Sequence, residues 1–427
     1  MKPKSLFAFL FLLFCLIQTP ALAEETSLIK FSFGLGYDNV SERYYLVHYD
    51  TIGVPSESLE ALRRATEEIE EMQAILKFDL NKNFADHSRF SVKNSFSLSS
   101  LYLRDILRIE WEKDWLNLSN QTELKTIQDT TKVPYQTDYF TNNFNVQLKA
   151  RLSPGLSLRF RNNLEYTEYK EKSTYPYDYY LNRTGLELDK EISFDGFLHL
   201  SYQFSKRYVP DSALINYDRH FLDVSFDKYF GWETLLQLEN ELDRKLFNKP
   251  GGLDDFWEET FTFGLSKKIH TRWELLFRNE FEILSYDTED EINFNYFENK
   301  FSTALEYELS DGLEIKGEPE WSVFSSLKRL YQDYNYNQLA FSLSFDLSRS
   351  TNLWLSVEDR FGKRNYKSDE NPFYTDYLLN QVSLFLDGEL SAHLGFNLML
   401  SVDSEWHNSK GDNLTVFLIS SELTYSF

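Results

Sequence analysis

Along most of the chain, apolar and polar residues alternate with a period of two. Phe144, Val146, Leu148, Ala150 and Leu152 fall on one face of an extended chain, with Thr141, Asn143, Asn145, Gln147, Lys149 and Arg151 on the other. Phe341, Leu343, Phe345 and Leu347 alternate in the same way with Ser342, Ser344 and Asp346, as do Leu394, Phe396, Leu398, Leu400 and Val402 with Asn397, Ser401 and Asp403. Runs of this length predict strands well beyond the usual roughly five or six residues of a soluble sheet.

A longer period is laid over the short one. An Asx–aromatic pair with a polar residue three places further on occurs at Asp138-Tyr139 with Asn142, Asp178-Tyr179 with Asn182, Asn216-Tyr217 with His220 and Asp255-Phe256 with Glu259. It returns at Asn295-Tyr296 with Asn299, Asp333-Tyr334 with Asn337 and Asp376-Tyr377 with Asn380. Turn-like segments fall between these markers, at Ser153-Pro154-Gly155, Ser193-Phe194-Asp195, Tyr229-Phe230-Gly231, Ile269-His270-Thr271, Ser310-Asp311-Gly312, Arg349-Ser350-Thr351 and Gly388-Glu389-Leu390. A spacing of about forty residues is that of a propeller blade. Each interval here holds two strands and not four, so the repeating unit is a hairpin.

The pattern predicts strands near 28–37, 73–81, 88–99, 102–111, 115–127, 139–152, 156–169, 179–190, 195–206 and 217–228. The second half continues near 232–245, 256–267, 272–285, 296–309, 313–327, 334–347, 352–363, 377–388, 393–406 and 414–427. One segment departs from period two. Leu59, Leu62, Ala65, Ile69, Met72 and Leu76 stand at helical spacing behind a possible N-cap at Ser56, which predicts a short acidic helix over 56–76 in a first long loop near 38–72.

Composition narrows the class. The chain has 427 residues with 27 Tyr and 37 Phe, too aromatic for a disordered acidic protein, and its formal charge of −23 argues against nucleic acid as a partner. Met1-Lys2-Pro3-Lys4, the apolar run Ser5–Ile17 and the small residues Ala21-Leu22-Ala23 read as a signal peptide over 1–23, cleaved between Ala23 and Glu24. The single Cys, Cys15, lies inside that segment, so the mature chain carries no thiol chemistry and no disulfide. Alternating strands that average out as polar, behind a secretion signal and with short turns opposed to long polar loops, describe an all-β, closed antiparallel transmembrane barrel. The count is twenty strands, or eighteen if the weak N-terminal pair does not form.

The chain ends Leu423-x-Tyr425-x-Phe427, with the three apolar residues on one face of the last strand. This ending resembles the C-terminal assembly signal of Gram-negative outer-membrane β-barrels, although Glu422 stands near a position where that signal often has Gly. The resemblance spans the mature chain, 24–427, and identifies a superfamily. It implies an outer-membrane location, contact with membrane lipid and lipopolysaccharide, and recognition by the barrel-assembly machinery.

The seven His residues are scattered, none sits in a phospholipase-type motif, and no spacing suggests a metal site or a cofactor. The acidic run Asp287, Glu289, Asp290 and Glu291 reads as a solvated loop. By parity, Tyr139, Tyr179, Tyr217, Phe256, Tyr296, Tyr334 and Tyr377 point inward near the outer mouth, where ring faces suit flat ligands or loop packing. Asn142, Asn182, Asn299, Asn337 and Asn380 point outward with Asn94, Asn120, Asn162, Asn240 and Asn279, in a belt that marks the outer end of the apolar band.

Inward positions before residue 190 hold about 12 basic against about 6 acidic side chains, and later strands about 7 against about 22. Lys149, Arg151, Arg159 and Arg161 form a basic wall, with Glu165 and Glu187 as acidic partners within reach; Glu239, Glu241, Glu280, Glu282, Glu306, Glu308, Glu318 and Glu320 form an acidic one. The reading that follows is a porin-like channel for small polar solutes with moderate cation selectivity. Its rivals are a structural or adhesive barrel with a closed lumen and, further off, a barrel enzyme.

Overall fold

The computed structural model describes residues 27–46, 63–84, 88–128, 138–170, 177–193, 195–231, 233–248, 254–288, 293–310, 312–348, 353–367, 375–391, 393–408 and 413–426. The strands are β1 (Ser27–Leu46), β2 (Arg63–Asn83), β3 (Arg89–Ser99), β4 (Tyr102–Lys113), β5 (Leu116–Ile127), β6 (Tyr139–Ser153), β7 (Leu156–Tyr169), β8 (Tyr179–Glu191), β9 (Gly196–Tyr208) and β10 (Tyr217–Phe230). They continue as β11 (Thr234–Phe247), β12 (Phe256–His270), β13 (Trp273–Tyr286), β14 (Tyr296–Ser310), β15 (Leu313–Ser326), β16 (Tyr336–Ser348), β17 (Leu353–Tyr366), β18 (Tyr377–Ser391), β19 (Leu394–His407) and β20 (Leu414–Ser426). All belong to one 20-stranded antiparallel sheet, each strand bonded to its chain neighbours, and β1 pairs with β20 to close it.

The register fixes the width. Following the paired residues strand by strand around the sheet returns to β1 about 24 residues from the start, the shear of the barrel. With strands about 4.8 Å apart and a rise of about 3.3 Å per residue, that shear means a tilt of about 40° and a backbone diameter of about 40 Å. Irregularities recur just before the short turns, at Arg151/Ser153, Lys268/His270, Glu308/Ser310 and Glu389/Ser391, where an extra residue sharpens the bend. The turns themselves use positive φ at Gly155 (71°) and Gly312 (78°). At Gly312 an added Cβ would lie 2.1 Å from the Ser348 carbonyl oxygen.

Residues 63–76 are strand, which corrects the expected helix over that stretch. β1 and β2 pair without a break from Ser27–Lys82 to Leu46–Arg63, so the neighbouring strand supplies the backbone partners that a helix would have found locally. Helical spacing at 72 and 76 coincides with alternation through Met72, Leu76, Phe78 and Leu80, so periodicity alone did not separate the two. Residues 56–62 lie outside the described residues. So do the signal segment with Ala23 and Glu24, and Phe427. Leu423 and Tyr425 stand exposed on the outer face of β20, opposite Leu35 and Phe33 of β1.

The outer wall is apolar across its middle and carries a belt of side-chain pairs toward the long-loop end. In each case a residue of one strand bonds diagonally to the next strand toward the end of the barrel that carries the long loops: Asn94 with Asp105 (2.7 Å), Asn120 with Asn142 (3.2 Å), Asn162 with Asn182 (2.8 Å) and Tyr202 with His220 (2.7 Å). Asn240 with Glu259 (3.0 Å), Asn279 with Asn299 (3.2 Å) and Asn380 with Asp359 (2.7 Å) complete it. Every pair sits two residues off direct opposition, the diagonal that sheet twist brings within reach. Asn337 joins no such pair among the described residues.

At the seam, Lys77 of β2 reaches across β1 to Glu422 of β20 (Nζ–Oε1 2.7 Å), and the Thr424 hydroxyl donates to the same carboxylate (2.7 Å). The crossing is possible because the inward residues of β1 beneath it are Gly34 and Gly36. A Cβ at Gly34 would stand 3.4 Å from Glu422 Oε1, and one at Gly36 3.0 Å from the Gln73 side chain. The glycine expected near Glu422 thus has its counterpart on the facing strand. The pair is partly exposed, at 41% and 33%, so a double-mutant cycle with Lys77→Met and Glu422→Gln is expected to return a coupling of about 0.5–1 kcal/mol in unfolding of the barrel. Strict additivity would show the two charges to be independent.

Candidate functional site

The long-loop end of the barrel is built on the Asx residues of the repeated marker. Asp138 Oδ1 accepts from the Ile127 N–H (2.7 Å), and the Asp138 backbone carbonyl accepts from the Lys170 N–H (3.0 Å). One residue therefore extends the ladder on both sides of β6 after the strands have ended. Asp255 and Asn295 repeat both bonds, to Phe247 (2.6 Å) and Asp287 (2.9 Å) and to Tyr286 (2.6 Å) and Leu327 (2.9 Å). Asn216 and Asp376 do the same, to Val209 (2.6 Å) and Asn248 (3.0 Å) and to Tyr366 (2.7 Å) and Asn408 (3.2 Å). At Asp178 the side-chain bond to the Tyr169 N–H is 2.8 Å.

The marker assigned to Asp333-Tyr334 belongs two residues later. Asn335 Oδ1 accepts from the Ser326 N–H (2.6 Å), the Asn335 carbonyl accepts from Lys367 (2.8 Å), and Tyr336 opens β16. Tyr334 ends a 3-10 helix over Arg329–Tyr334 and packs on Phe294 (4.7 Å between centroids). The sequence Asp333-Tyr334-Asn335-Tyr336 holds two overlapping frames, and only the second matches the register of the β15–β16 hairpin.

The remaining marker aromatics, with Tyr336, stand on the inward face at this end, and a continuous run of ring contacts links Tyr296 to Tyr377. Tyr296 meets Phe324 (4.6 Å), Phe324 stacks on Tyr336 (5.3 Å, 8° between planes), and Tyr336 meets Tyr366 (5.7 Å). Tyr139 contacts Tyr169 (6.0 Å), Tyr217 contacts Phe247 (6.1 Å), Phe256 contacts Tyr286 (5.7 Å), and Tyr377 contacts His407 (4.8 Å). Cations cover several ring faces: Arg207 over Tyr179 (4.7 Å), Lys245 over Tyr217 (4.3 Å) and Arg364 over Tyr336 (4.0 Å). The hydroxyls are held as well. Tyr139 donates to Glu123, Tyr179 to Glu165, Tyr296 to Glu282 (2.7 Å) and Tyr336 to Glu298 (2.8 Å). The three Glu partners on preceding strands lie on the diagonal that also sets the outer belt. These carboxylates and cations of the ring are the part that alternation alone did not reveal.

Below the ring, the lumen is divided by charge. Lys149 stands opposite Arg159, and Arg151 opposite Ser157. Arg159 pairs with Glu187 and lies 3.6 Å from Asp189, Arg161 pairs with Glu187 (2.9 Å) and Arg183 with Glu165 (2.9 Å). Lys149 and Arg151 have no ion pair among the described residues. On the other side, Lys300 reaches Glu280 (3.2 Å) and Glu298 (3.4 Å), and Lys316 reaches Glu318 (2.9 Å) and Glu306 (3.7 Å). Arg360 holds Glu320 (2.6 Å).

Much of the acidic wall is uncompensated. Asp223 faces Glu241, Glu282 faces Glu298, Glu274 faces Glu306, and Glu308 faces Glu314 across directly opposed positions. Such like-charged pairs weaken a ladder. Glu239, Glu241 and Glu308 have no ion pair among the described residues. At the junction of the walls, His199 Nδ1 lies 2.6 Å from Asp189 and Nε2 3.7 Å from Asp223.

No family model matches the sequence, and no curated protein matches it. Among solved structures, the barrel is similar to the FrpB iron transporter from Neisseria meningitidis, with a TM-score of 0.56 and 10% identity over 95% of this chain and 82% of that one. It is similar to the siderophore receptor PirA from Pseudomonas aeruginosa, with a TM-score of 0.53 and 10% identity over 92% and 80%. OccK2 (OpdF) from Pseudomonas aeruginosa aligns over 93% of this chain and 98% of its own, with 10% identity and a TM-score of 0.48. The likeness is one of fold, a closed antiparallel barrel shared with solved outer-membrane proteins of Gram-negative bacteria.

The rim gives a pH-dependent expectation. Partial burial raises the Asp138 carboxyl, but the Lys170 ammonium and the Ile127 N–H outweigh it and hold the group below the ordinary aspartate range. A depressed acid contributes stability above its unfolded value, near 4, and loses it as pH falls through the folded one. Amide exchange at Ile127, corrected for its intrinsic rate, is expected to speed up below about pH 4. Val209, which is held by Asn216, should not follow, and Asp138→Asn should flatten the response at Ile127. An Ile127 profile as flat as that of Val209 in the wild type would contradict the assignment.

Proposed function

We propose that the protein is a passive, porin-like channel of the bacterial outer membrane for small polar solutes, with moderate cation selectivity. The width of the barrel carries this reading. A backbone diameter of about 40 Å leaves on the order of 25 Å between side chains that extend from opposite walls, more than they can fill, whereas barrels of 16 to 18 strands already hold aqueous channels. The lining supports a polar solute: Ser, Thr, Asn and charged residues alternate inward on every strand pair described.

Selectivity follows from which wall is neutralised. Arg159 and Arg161 of the basic wall are spent on Glu187 and Asp189, and Arg183 beside them on Glu165, whereas carboxylates face carboxylates along β10–β15. Low-dielectric walls focus the field of that acidic excess and concentrate cations. We place the termini and short turns on the periplasmic side and the aromatic ring at the outer mouth, with export by the cleaved segment 1–23 and assembly through Leu423, Tyr425 and Phe427. The ring frames the mouth: four of its hydroxyls, those of Tyr139, Tyr179, Tyr296 and Tyr336, are engaged, and several of its faces already carry a guanidinium or ammonium group.

Liposome swelling with sugars of graded size tests the open lumen. Uptake that falls smoothly with size is expected, and no swelling with any sugar would favour a closed structural barrel. Reversal potentials across a bilayer under a KCl gradient should show cation preference that weakens with salt as screening shortens, and Glu241→Gln with Glu282→Gln and Glu298→Gln should reduce it. Anion preference at low salt in the wild type would refute the assignment of the walls. Replacing Tyr179, Tyr296 and Tyr377 by Ala should alter sugar and small-ion permeation together if the ring is a frame. A change confined to sugars would instead identify it as a stacking site.

A further inference from the structure

One strand tryptophan faces away from the membrane. Trp111, Trp257, Trp273, Trp321 and Trp406 have outward parity, where an indole meets lipid or its headgroups. Trp354 is turned inward. It stands in one directly opposed row with Asp387, Asn397 and Glu422, the last of which lies on the lumen side of the seam. Its indole is 46% exposed. It packs on Phe385 at 4.8 Å between centroids and 53° between planes, and Met399, 37% exposed, stands directly opposite Phe385. Three apolar side chains thus form a patch on the lumen wall near the short-turn end.

The surroundings of the patch are acidic. Asp387 is the direct partner of Trp354 on β18. The closing diagonal of the sheet takes Trp354 to Phe385, two residues before that partner. On the other side it takes Trp354 toward Asp346, two residues before its β16 partner Ser348. Glu389 is the next inward position toward the short turn. Asp387 accepts from the Asn397 amide (3.4 Å), and neither Asp346, Asp387 nor Glu389 has an ion pair among the described residues. A recess of about 700 Å³ opens at this point, lined by Ser348, Trp354, Asp387, Glu389, Asn397 and Glu422.

The rings at the opposite end of the lumen offer a contrast. There, cations of the protein itself cover Tyr179, Tyr217 and Tyr336. Among the described residues no Lys or Arg lies over Trp354 or Phe385. Trp presents the best ring face for a cation, and the neighbouring carboxylates add charge attraction. The flank of Phe385 and Met399 suits methyl or methylene groups and gives nothing to a hydrated metal ion. A neutral sugar would stack on the ring and leave the negative charge unanswered.

We propose that Trp354, Phe385 and Met399, with Asp346 and Asp387, form a binding site for a small organic cation, an alkylated ammonium solute, on the lumen wall. The site names one class of solute for the cation-preferring channel inferred above, and it rests on that reading in so far as water must reach this face through the lumen.

The test is a ligand-detected NMR titration of choline against the full-length folded barrel in a nonionic polyoxyethylene detergent, where both mouths face solvent. Choline should bind with roughly millimolar affinity, and more weakly as salt rises. Its uncharged analogue, with carbon in place of nitrogen, should bind on the order of tenfold more weakly. Trp354→Ala should weaken choline on the order of tenfold, Trp354→Phe by less, and Asp346→Asn with Asp387→Asn roughly fivefold. Trp321→Ala, on the outer face, should leave binding unchanged, and heat modifiability shows that each variant is folded. No choline binding to the wild type, equal binding of the uncharged analogue, or a folded Trp354→Ala variant that binds as the wild type does would overturn the proposal. So would glucose binding at Trp354 in place of choline. Liposome swelling reports separately on passage. Swelling with sugars but no choline binding removes the site and leaves the channel, whereas choline binding without swelling leaves a site reached from one mouth and removes the channel.

Discussion

Everything in this molecule depends on one constraint: in hydrocarbon a peptide group has no water to bond, so each must find its partner within the protein. A sheet satisfies that only by meeting itself. Here the meeting is β1 on β20, and its register sets the tilt, the diameter and the height at which every side chain stands. The seam is also where chain ends meet last in sequence, and there a side-chain ion pair spans three strands over a floor of glycine.

The polar side chains obey the same geometry on both faces. On the outside, amides and carboxylates that alternation puts toward lipid bond to one another; on the inside, tyrosine hydroxyls bond to glutamates. Both sets use the diagonal two residues from direct opposition, because the right-handed twist of neighbouring strands closes that diagonal and opens the other. A single property of the sheet thus produces a cross-bonded outer belt and a braced inner rim from unrelated residue types.

The strands were legible in the sequence because the two environments of a barrel wall differ so sharply that period two survives over runs such as Phe144 to Leu152. The exceptions have local causes. Over 63–76 a helical spacing overlapped an alternating one, and the pairing of β1 with β2, a fact about distant residues, decided between them. At 333–336 two Asx–aromatic frames overlapped, and only the register of β16 against β15 picks Asn335. For the lumen, parity identified which charges face inward. It could not say which would be neutralised, because the pairing of Arg161 with Glu187 or Lys316 with Glu318 depends on side-chain reach along a twisted wall.

The Asx residues at the rim have a consequence for how such a chain diversifies. At Asp138, Asn216, Asp255, Asn295, Asn335 and Asp376 the ladder ends on both sides with bonds made by a single residue, so those bonds do not depend on the connecting segment beyond it. The segment between Ile127 and Asp138 and the one between His407 and Asn413 differ in length and composition, yet both return to the sheet through the same Oδ1-to-N–H bond. Loops on this side are in effect cassettes with standard fittings. Their sequences are free to drift while the barrel that carries them keeps its register.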